Sequence, residues 1–390
     1  MSSWRREALK DVCSRITDGS HFSPKAVTKG YPYITVRDLE DGKIDFQDCK
    51  FIQEKDYLEL KSNSCQPASG DILFSKDGTV GKVALVDFDK QFVVLSSLAI
   101  ISPQRDLLLP RYLMYCMLAP SFLEEATGRK TGAAIRRIVL RDLKKIEISF
   151  PSLPEQKRIV EILDEAFEEI DKAIANTERI IRNAEELFYF FLRSCFTNEE
   201  FTKKRCKFDQ VCTLQRGFDL PRRLRVAGEF HLLSSSGKID THIEAKVSGP
   251  GVVVGRSGSV GSVFYEEDDF WPLNTVLYVK DFHGNNPEYI YWFLYQFDLK
   301  KYSGGTGVPT LNRNNLHCLD ISVADSIETQ NIVVSKVADT YEQTRAILLH
   351  METKLNLLRE LKQSLLDKAF TGELTKDFRA VGNTLSEAGA

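Results

Sequence analysis

The stretch FPSLPEQKRIVEILDEAFEEIDKAIANTERIIRNAEELFYFFLRSCF, residues 150–196, has the pattern of one unusually long helix. Pro154 suits a first helical turn, and Ser152 and Glu155 stand at capping-box spacing. From Ile159 onward, apolar residues recur at alternating four- and three-residue intervals, as in a coiled-coil seam. About forty residues at about 1.5 Å each make a rod of roughly 60 Å. The spacing therefore predicts a helix longer than an ordinary globular core requires.

A second helix repeats the first. Gln330 stands 174 positions after Gln156, and the AFT of 369–371 stands 174 positions after the CFT of 195–197. Because two seams of equal length in one chain most simply pack against each other, we predict a coiled coil; two unrelated core helices are the alternative. The predicted seam consists of Ile159, Leu163, Ile170, Ile180, Leu187, Val337, Ile347, Leu358, Leu361 and Leu365.

The rest of the chain also repeats. KDGTVG at 76–81 recurs as RSGSVG at 256–261, and PRYLMYCML at 110–118 recurs as PEYIYWFLY at 287–295. In each half, short β-rich runs alternate with turn residues and one helical stretch, which is typical of an α/β or α+β domain. The predicted segments are globular regions at 1–150 and 199–325, long helices at 151–198 and 326–375, and a tail at 376–390.

Composition excludes some classes of partner. Charge is nearly balanced, with 52 Lys plus Arg against 55 Asp plus Glu and a net charge of −3, so any affinity for nucleic acid must come from local clusters. The eight cysteines are scattered without a Cys-x-x-Cys pair, which predicts reduced thiols and no metal site. Neither an apolar run of about 18 residues nor a secretory signal is found, so we expect a cytoplasmic protein without membrane partners.

No grouping of side chains in the sequence predicts catalysis. NPEY at 286–289 is close to the Asn-Pro-Pro-Tyr of adenine-N6 methyltransferases, but Glu288 replaces the second proline, and we interpret the motif as a helix start. The glycine pair at 78 and 81 is too closely spaced for a nucleotide P-loop, and Val83 follows Lys82 where that loop needs Ser or Thr. These departures argue against an enzyme that itself methylates or hydrolyses DNA.

Basic residues are concentrated in particular segments. Residues 128–145 carry seven Lys or Arg and one acid, and 215–225 is similarly basic in the second half. Arg can contact guanine bidentately, Asn can contact adenine, and both Lys and Arg bind phosphate. A solvated basic surface without a ligand is the alternative. The predicted nucleic-acid contacts are Lys76, Lys82, Arg129, Lys130, Arg136, Arg137, Arg216, Arg222, Arg223, Arg256, Asn312 and Arg313.

Several stretches resemble one known family. TDGSHFSP at 17–24, GDILFSKDGTVGKVAL at 70–85, PSLPEQKRIVEILDEA at 151–166 and KAFTGEL at 368–374 are similar to recurrent stretches of the specificity subunits of type I restriction-modification enzymes. The resemblance covers almost the whole chain. It implies an α/β (α+β) fold in which two target-recognition domains are separated by two long antiparallel helices, with an internal pseudo-two-fold repeat.

By this resemblance, the chain would be a non-catalytic subunit that binds double-stranded DNA at a bipartite target with a fixed gap. Its partners would be two methylation subunits and, for cleavage, restriction subunits; S-adenosylmethionine, ATP and magnesium would belong to them, and this chain would hold no cofactor. His21, in the first stretch, joins the candidate DNA contacts. A second apolar stripe beside the seam includes Phe188, and because of it the helices and the adjoining surface are expected also to dock the methylation subunits. A coiled-coil scaffold or adaptor without DNA recognition is the alternative.

Overall fold

The computed structural model describes residues 4–40, 42–128, 137–197, 202–304 and 309–375. The chain divides into two compact units. Unit 1 joins the residues as far as Asn176 to those from Lys354 onward, and unit 2 comprises Thr177–Thr353. The domain boundaries expected from the sequence, which assign the long helices to segments of their own, stay a prediction.

The elements of the first half contain the longest helix of the described chain. Its strands are β1 (Arg5–Ala8), β2 (Cys13–Asp18), β3 (Tyr31–Ile34), β4 (Leu39–Glu40), β5 (Lys43–Ile44), β6 (Lys50–Ile52), β7 (Ile72–Ser75), β8 (Val83–Leu85), β9 (Val93–Val94), β10 (Leu98–Pro103) and β11 (Glu147–Phe150). Its helices are α1 (Leu9–Val12), α2 (Glu54–Ser62), α3 (Pro110–Leu118), α4 (Pro120–Gly128), α5 (Leu140–Leu143) and α6 (Leu153–Thr197), with a 3₁₀ turn at Val36–Asp38.

The second half contains a similar series. Its strands are β12 (Lys203–Lys207), β13 (Thr213–Arg216), β14 (Phe230–Ser234), β15 (Gly237–His242), β16 (Gly251–Gly255), β17 (Val263–Glu266), β18 (Phe270–Pro272), β19 (Val276–Asp281), β20 (Ser303–Gly304), β21 (Thr310–Leu311) and β22 (Asp320–Ala324). Its helices are α7 (Pro287–Gln296), α8 (Arg313–His317) and α9 (Ile327–Phe370), with 3₁₀ turns at Phe208–Gln210, Arg222–Leu224 and Leu299–Tyr302. Among the described residues, no helix combines the length and the apolar character needed to cross a membrane.

The sheets show the internal repeat most clearly. Unit 1 has an antiparallel sheet in the order β2-β10-β7-β8, and unit 2 has the matching order β13-β19-β16-β17. A three-stranded sheet with one parallel and one antiparallel pair also recurs, as β6-β3-β9 and as β15-β14-β18. The mixed helix and strand fold predicted from the sequence is therefore confirmed.

A buried glutamine fixes the start of each long helix. Gln156 donates its amide to the carbonyls of Leu107 and Pro151 and accepts from the N–H of Leu109, the residue before α3. Gln330 accepts from the N–H of Asn286, the residue before α7, in the same way. A fully buried amide needs such partners because its desolvation is otherwise costly. The repeated Gln therefore ties each long helix to the short helix of its own half.

NPEY is a helix start, as predicted. Asn286 is the N-cap of α7, and its side-chain oxygen accepts from the N–H groups of Glu288 and Tyr289. Pro287 occupies the first helical turn, where a missing N–H costs nothing. In the equivalent place Pro110 opens α3.

The two long helices run antiparallel within unit 1. The ammonium of Lys362 in α9 pairs with Asp171 in α6, and Thr375, just beyond α9, donates to Glu155 near the start of α6 at 2.8 Å. Because the partner number rises in one helix as it falls in the other, the segments have opposite directions. Their apolar residues join the core of unit 1, where Ile159 and Leu163 are fully buried with Ala369.

Part of the predicted seam is wrong. The exposed fractions are 41% for Ile180, 69% for Leu187, 46% for Ile347 and 46% for Leu361. The inward face instead moves by one residue in both helices, so that Phe188 is 7% exposed and Leu355 is 8% exposed. A shift of this kind is a local change of the heptad phase. It also explains Lys354, which interrupts the predicted seam and is exposed beside the buried Leu355.

The remaining predicted seam residues lie inward. Ile159, Leu163, Ile170 and Val337 are buried, and Leu358 and Leu365 are partly buried. In contrast, the docking role expected for Phe188 is wrong. Its ring packs against Trp292 and Tyr341 inside unit 2, with centroids 5.9 Å and 5.4 Å away. Phe191 is half-buried against the same core.

Candidate nucleic-acid interface

In each unit, most of the described candidate nucleic-acid contacts lie at one end of the four-stranded sheet. In unit 1, β2 and β7 end where β10 and β8 begin, since Asp18 pairs with Ala99 and Ser75 pairs with Leu98. In unit 2, Arg216 pairs with Leu277 and Gly255 pairs with Val276 in the same way. We call the segments at this end of each sheet the rim. The rim comprises residues 19–30, 76–82 and 137–139 in unit 1, and 216–225, 256–262 and 309–313 in unit 2.

The glycine segments of both rims form the same tight turn. Gly78 and Gly81 have φ of 68° and 103°, and Gly258 and Gly261 have φ of 83° and 80°. Positive φ is a conformation that glycine adopts without steric cost. The N–H of Gly81 donates to Ser75 and that of Gly261 donates to Gly255, which closes each turn. Both glycine segments are therefore tight turns between strands, β7 and β8 in unit 1 and β16 and β17 in unit 2.

Each glycine turn is joined to a segment late in its own half, residues 137–139 within the basic stretch in unit 1 and residues 309–313 in unit 2. The N–H of Ile138 donates to the carbonyl of Lys76 at 2.9 Å, and the N–H of Leu311 donates to that of Arg256 at 2.8 Å. The structure therefore brings together two segments that are far apart in sequence, and it does so in both units. Arg137 is exposed at this junction. The other candidates of this stretch, Arg129, Lys130 and Arg136, lie outside the described residues.

Lys76 is not a surface cation, contrary to the sequence analysis. It is 5% exposed, and its Nζ lies 2.6 Å from Oδ1 of Asp18. Breaking a buried ion pair leaves an uncompensated charge, so this amine is not available to a phosphate. Lys82 is half-buried, and its Nζ donates to the carbonyl of Leu39 at 2.8 Å. Both lysines therefore hold the turn in place.

Most of the exposed basic side chains at the rim of unit 1 lie in the loop that follows β2. The side chain of His21 is 79% exposed, with Nε2 3.7 Å from Oδ2 of Asp18. Lys25 and Lys29 are exposed in the same loop, which contains no acid between residues 19 and 30. The sequence analysis missed these two lysines because it concentrated on clusters of arginine.

Unit 2 has a rim rich in arginine. Arg222 and Arg223 are exposed in the 3₁₀ turn, and the Arg216 side chain is 52% exposed. Nη2 of Arg216 lies 3.5 Å from Oδ1 of Asp219, which also accepts from the amide of Asn274. The carbonyl of Asn274 accepts in turn from Arg256 at 3.3 Å. This network orients Arg216 and Arg256 through the carboxylate of Asp219. The sequence analysis predicted the two arginines but not Asp219.

Asn312, one of the predicted contacts, also caps a helix. Asn312 is the N-cap of α8, and its side-chain oxygen accepts from the N–H of Asn314 at 3.0 Å. An amide oxygen has two lone pairs, so this bond leaves one for a further donor. Asn312 and Arg313 beside it are both exposed, and the base contact by Asn312 stays a prediction.

His317 supports the strand that carries Arg216. Its Nε2 accepts from the N–H of Leu214 at 3.0 Å, and its ring stacks on Phe208 with centroids 6.3 Å apart. Burial lowers the pKa of His317 below its usual value, and the nearby Arg313 lowers it further against an opposing effect of Asp209. A ring nitrogen that accepts an N–H is unprotonated, so the geometry and the direction of the pKa shift agree.

We expect the thermal stability of unit 2 to fall as the pH is lowered from 7 towards 5. The unfolded chain takes up a proton on His317 near the ordinary pKa of about 6.5, whereas the folded chain resists it, so unfolding binds a proton below that pH and is favoured. The variant H317Q cannot be protonated there and should lose this part of the dependence. A series of melting temperatures against pH for both proteins measures the effect. Equal slopes would contradict it.

No group of three or more His, Cys, Asp or Glu side chains among the described residues could hold a metal ion. All eight cysteines, which lie in the described ranges, are free thiols. Burial raises the pKa of Cys13 and of Cys116 to about 12, so both stay protonated at neutral pH.

The fold and the two rims define a class of two-unit proteins in which one arrangement of sheet and glycine turn repeats. The sequence matches the family described as Type I restriction modification DNA specificity domain over residues 1–180 and 206–356. The chain therefore belongs to this family, and the resemblance noted in the sequence is confirmed. Its relatives are specificity subunits, the non-catalytic components of restriction-modification enzymes, as the sequence analysis predicted for this chain.

Individual relatives are similar over parts of their length. A putative type I restriction enzyme specificity subunit of Haemophilus influenzae is 30% identical over 148 residues, 38% of this chain and 37% of that protein. The type I restriction enzyme EcoBI specificity subunit of Escherichia coli is 24% identical over 173 residues, 44% of this chain and 36% of that protein. The matched segments thus span little more than a third of these relatives' own length.

Solved structures share the fold over nearly the whole chain. One comes from work on complex assembly and conformational transition of the type I R-M system; it has a TM-score of 0.76 at 17% identity and covers 96% of this chain and 99% of its own. The HsdS subunit of Thermoanaerobacter tengcongensis has a TM-score of 0.51 at 16% identity and covers 95% of this chain and 97% of its own. At such low identity the likeness concerns the fold alone.

Proposed function

We propose that this chain reads a bipartite DNA target, with one half-site contacted by the rim of each unit. The observation that carries the proposal is the recurrence of one arrangement in both units: a glycine turn at the end of a four-stranded sheet, joined to a segment that carries an exposed arginine, Arg137 or Arg313. Exposed cations in these positions can neutralise phosphates, and arginines there can reach base edges. Two rims of different composition suit two different half-sites.

A test is selection from a pool of random duplexes. The chain would be co-expressed with methylation subunits of a type I system, and retained DNA would be sequenced at physiological salt, where non-specific phosphate binding is weak. We expect a split consensus with a constant gap. Enrichment of no sequence by the intact complex would contradict DNA recognition and favour a scaffold.

The partners of the chain are part of the same proposal. We propose that it directs methylation and restriction subunits to the target, and that S-adenosylmethionine, ATP and magnesium are bound by those subunits. Large apolar side chains on the long helices support docking of partners, with exposed fractions of 69% for Leu187, 64% for Phe190 and 66% for Leu349. The eight free thiols are in keeping with a reducing compartment, which supports the cytoplasm as the site of action.

The gap between half-sites should follow the length of the long helices. Removing one heptad from each helix, residues 174–180 and 350–356, shortens each by about 10 Å at about 1.5 Å per residue. With base pairs about 3.4 Å apart, the preferred gap should shrink by roughly three base pairs. Selection from the same random pool measures the gap. A folded variant complex that keeps the original gap would contradict this prediction.

A further inference from the structure

Phe22 presents a large apolar side chain on the rim of unit 1. It follows His21 in the loop after β2, and it is 59% exposed. Most phenylalanines among the described residues are buried or half-buried, whereas Phe22 is solvated. One exposed apolar side chain is ordinary on a protein surface. The features that set Phe22 apart are its fixed backbone, its charged surroundings and a counterpart in unit 2.

Hydrogen bonds fix the backbone of Phe22 and leave its ring outside. The hydroxyl of Ser20 donates to the Phe22 carbonyl at 2.6 Å, and the Ser20 hydroxyl oxygen accepts from the Phe22 N–H at 3.1 Å. The hydroxyl of Tyr33 also donates to that carbonyl, at 3.1 Å. Ser20 and Tyr33 are 4% and 3% exposed, so both partners are held by the core. The backbone of Phe22 is therefore fixed at the rim, where its ring is exposed.

The loop lies tightly against the sheet. The N–H groups of Gly19 and Ser20 donate to Leu98 and Val94 at 3.0 Å and 2.8 Å. A Cβ at Gly19 would clash with the carbonyl oxygens of Val94 and Leu95, so only glycine allows this approach. Phe22 therefore projects from a rigid support.

The loop around Phe22 carries basic side chains and no acid. His21, Lys25 and Lys29 are exposed, and no acid lies between residues 19 and 30. The nearest carboxylate along the chain, Asp18, is occupied by the buried ammonium of Lys76. An apolar ring beside two lysines fits a polyanion that also offers apolar surfaces, which describes the stacked bases of duplex DNA.

The rim of unit 2 has a counterpart to this arrangement. Gly217 and Phe218 follow β13 as Gly19 and Ser20 follow β2. Their N–H groups donate to the carbonyls of Val276 and Pro272 at 3.0 Å and 2.8 Å, as those of Gly19 and Ser20 donate to Leu98 and Val94. A few residues later Leu224 is 56% exposed, and it directly follows the exposed pair Arg222 and Arg223.

Two contacts hold the far side of this loop. The side chain of Arg225 is 16% exposed, and its Nε donates to the carbonyl of Leu220 at 3.4 Å. The N–H of Val226 donates to Nδ1 of His242 at 3.1 Å. Leu224 is therefore displayed on a loop supported at both ends, as Phe22 is.

We propose that Phe22 and Leu224 act as wedges that enter a base step of each half-site, unstack it in part and bend the duplex. The inference rests on the proposed DNA recognition and adds a mechanism to it. Apolar side chains inserted between base pairs are a known way to kink DNA, and neighbouring cations hold the phosphates on either side. Flexible pyrimidine–purine steps cost the least to open, so the wedges select sequence through deformability.

The test uses the complete complex and duplexes that carry its selected site. 2-Aminopurine placed at successive steps of each half-site reports unstacking as a rise in fluorescence, and energy transfer between labelled ends reports bending. F22A should abolish the rise at one step, reduce the bend and weaken binding roughly tenfold. Because phenylalanine carries no charge, the slope of log K against log salt should not change. F22L should restore part of the affinity, and L224A should act in the same way at the other half-site.

L58A is the matched control. Leu58 lies on α2 and is 54% exposed, but it is not part of the rim, so its replacement should change neither fluorescence nor bend. F22A that binds and bends DNA like the wild type would overturn the proposal, as would F22A that only weakens capture of the methylation subunits. Failure of the proposed function is distinguishable: the wild-type complex would then bind no preferred sequence at all.

Discussion

Replacing Phe188 with alanine should lower the free energy of unfolding of unit 2 by about 3–5 kcal/mol, because the change removes a large buried ring from a close-packed core. Phe188 is 7% exposed, and its ring meets Trp292 edge-on. It also contacts Tyr341 of α9, so the substitution loosens both long helices of unit 2 at once. Chemical denaturation monitored by tryptophan fluorescence measures the change.

Leu187 supplies the matched control for Phe188. It precedes Phe188 directly in the same helix but is 69% exposed. Substitutions of exposed side chains usually change stability by no more than about 0.5 kcal/mol, so L187A should unfold like the wild type. If L187A destabilised the protein as much as F188A, the inward face of α6 would be the one first predicted from the sequence, and the structural assignment would be wrong.

Reversing the charge of Arg222 and Arg223 should weaken DNA binding roughly a hundredfold, at about 1.4 kcal/mol for each arginine. Both side chains are exposed in the 3₁₀ turn at the rim of unit 2. Arginines that bind phosphate contribute to the salt dependence, so the slope of log K against log salt should also become shallower, by about one unit for each phosphate that is no longer neutralised. Equilibrium binding of the complex to its selected duplex at several salt concentrations measures both quantities.

The control for this charge reversal is K204E/R205E. Lys204 and Arg205 are adjacent, exposed and equally charged. They lie on β12, which precedes β13 in the chain, whereas the rim begins where β13 ends. The control should therefore keep nearly the affinity of the wild type. A similar decrease in both variants would mean that only the net charge of unit 2 matters and that the rim has no special part in binding.

Much of the architecture could be predicted because its signals are local or repeated. The long helices show an apolar period along their own sequence, and the two halves repeat the same turn and the same short helix. The phase of the seam could not be predicted as well. Ile180 and Ile181 are adjacent and both apolar, and residues 187–192 are all large and apolar, so the sequence is compatible with two inward faces. Packing against the opposite helix and the globular core selects one of them.

The candidate site was harder to predict than the fold. Lys76 follows a strand and precedes a glycine turn, which indicates exposure, but Asp18 comes from a strand far away in sequence and pairs with it in the interior. Such a pairing depends on sheet order, which no local pattern contains. Phe22 belongs to no periodic pattern at all, and its backbone is fixed by hydrogen bonds from Ser20 and from Tyr33, which lies on another strand. By contrast, the exposed arginines of 215–225 could be found from composition alone.

The central claim, that each unit reads its own half of a split target, is tested most directly by repeating the random-duplex selection with two variant complexes. One complex carries R222E/R223E in unit 2, and the other carries H21E/R137E in unit 1. We predict that each variant loses the consensus of one half-site, a different half in each case, and keeps the other half. Loss of both halves in either complex, or the same half in both, would contradict the assignment of one half-site to each unit.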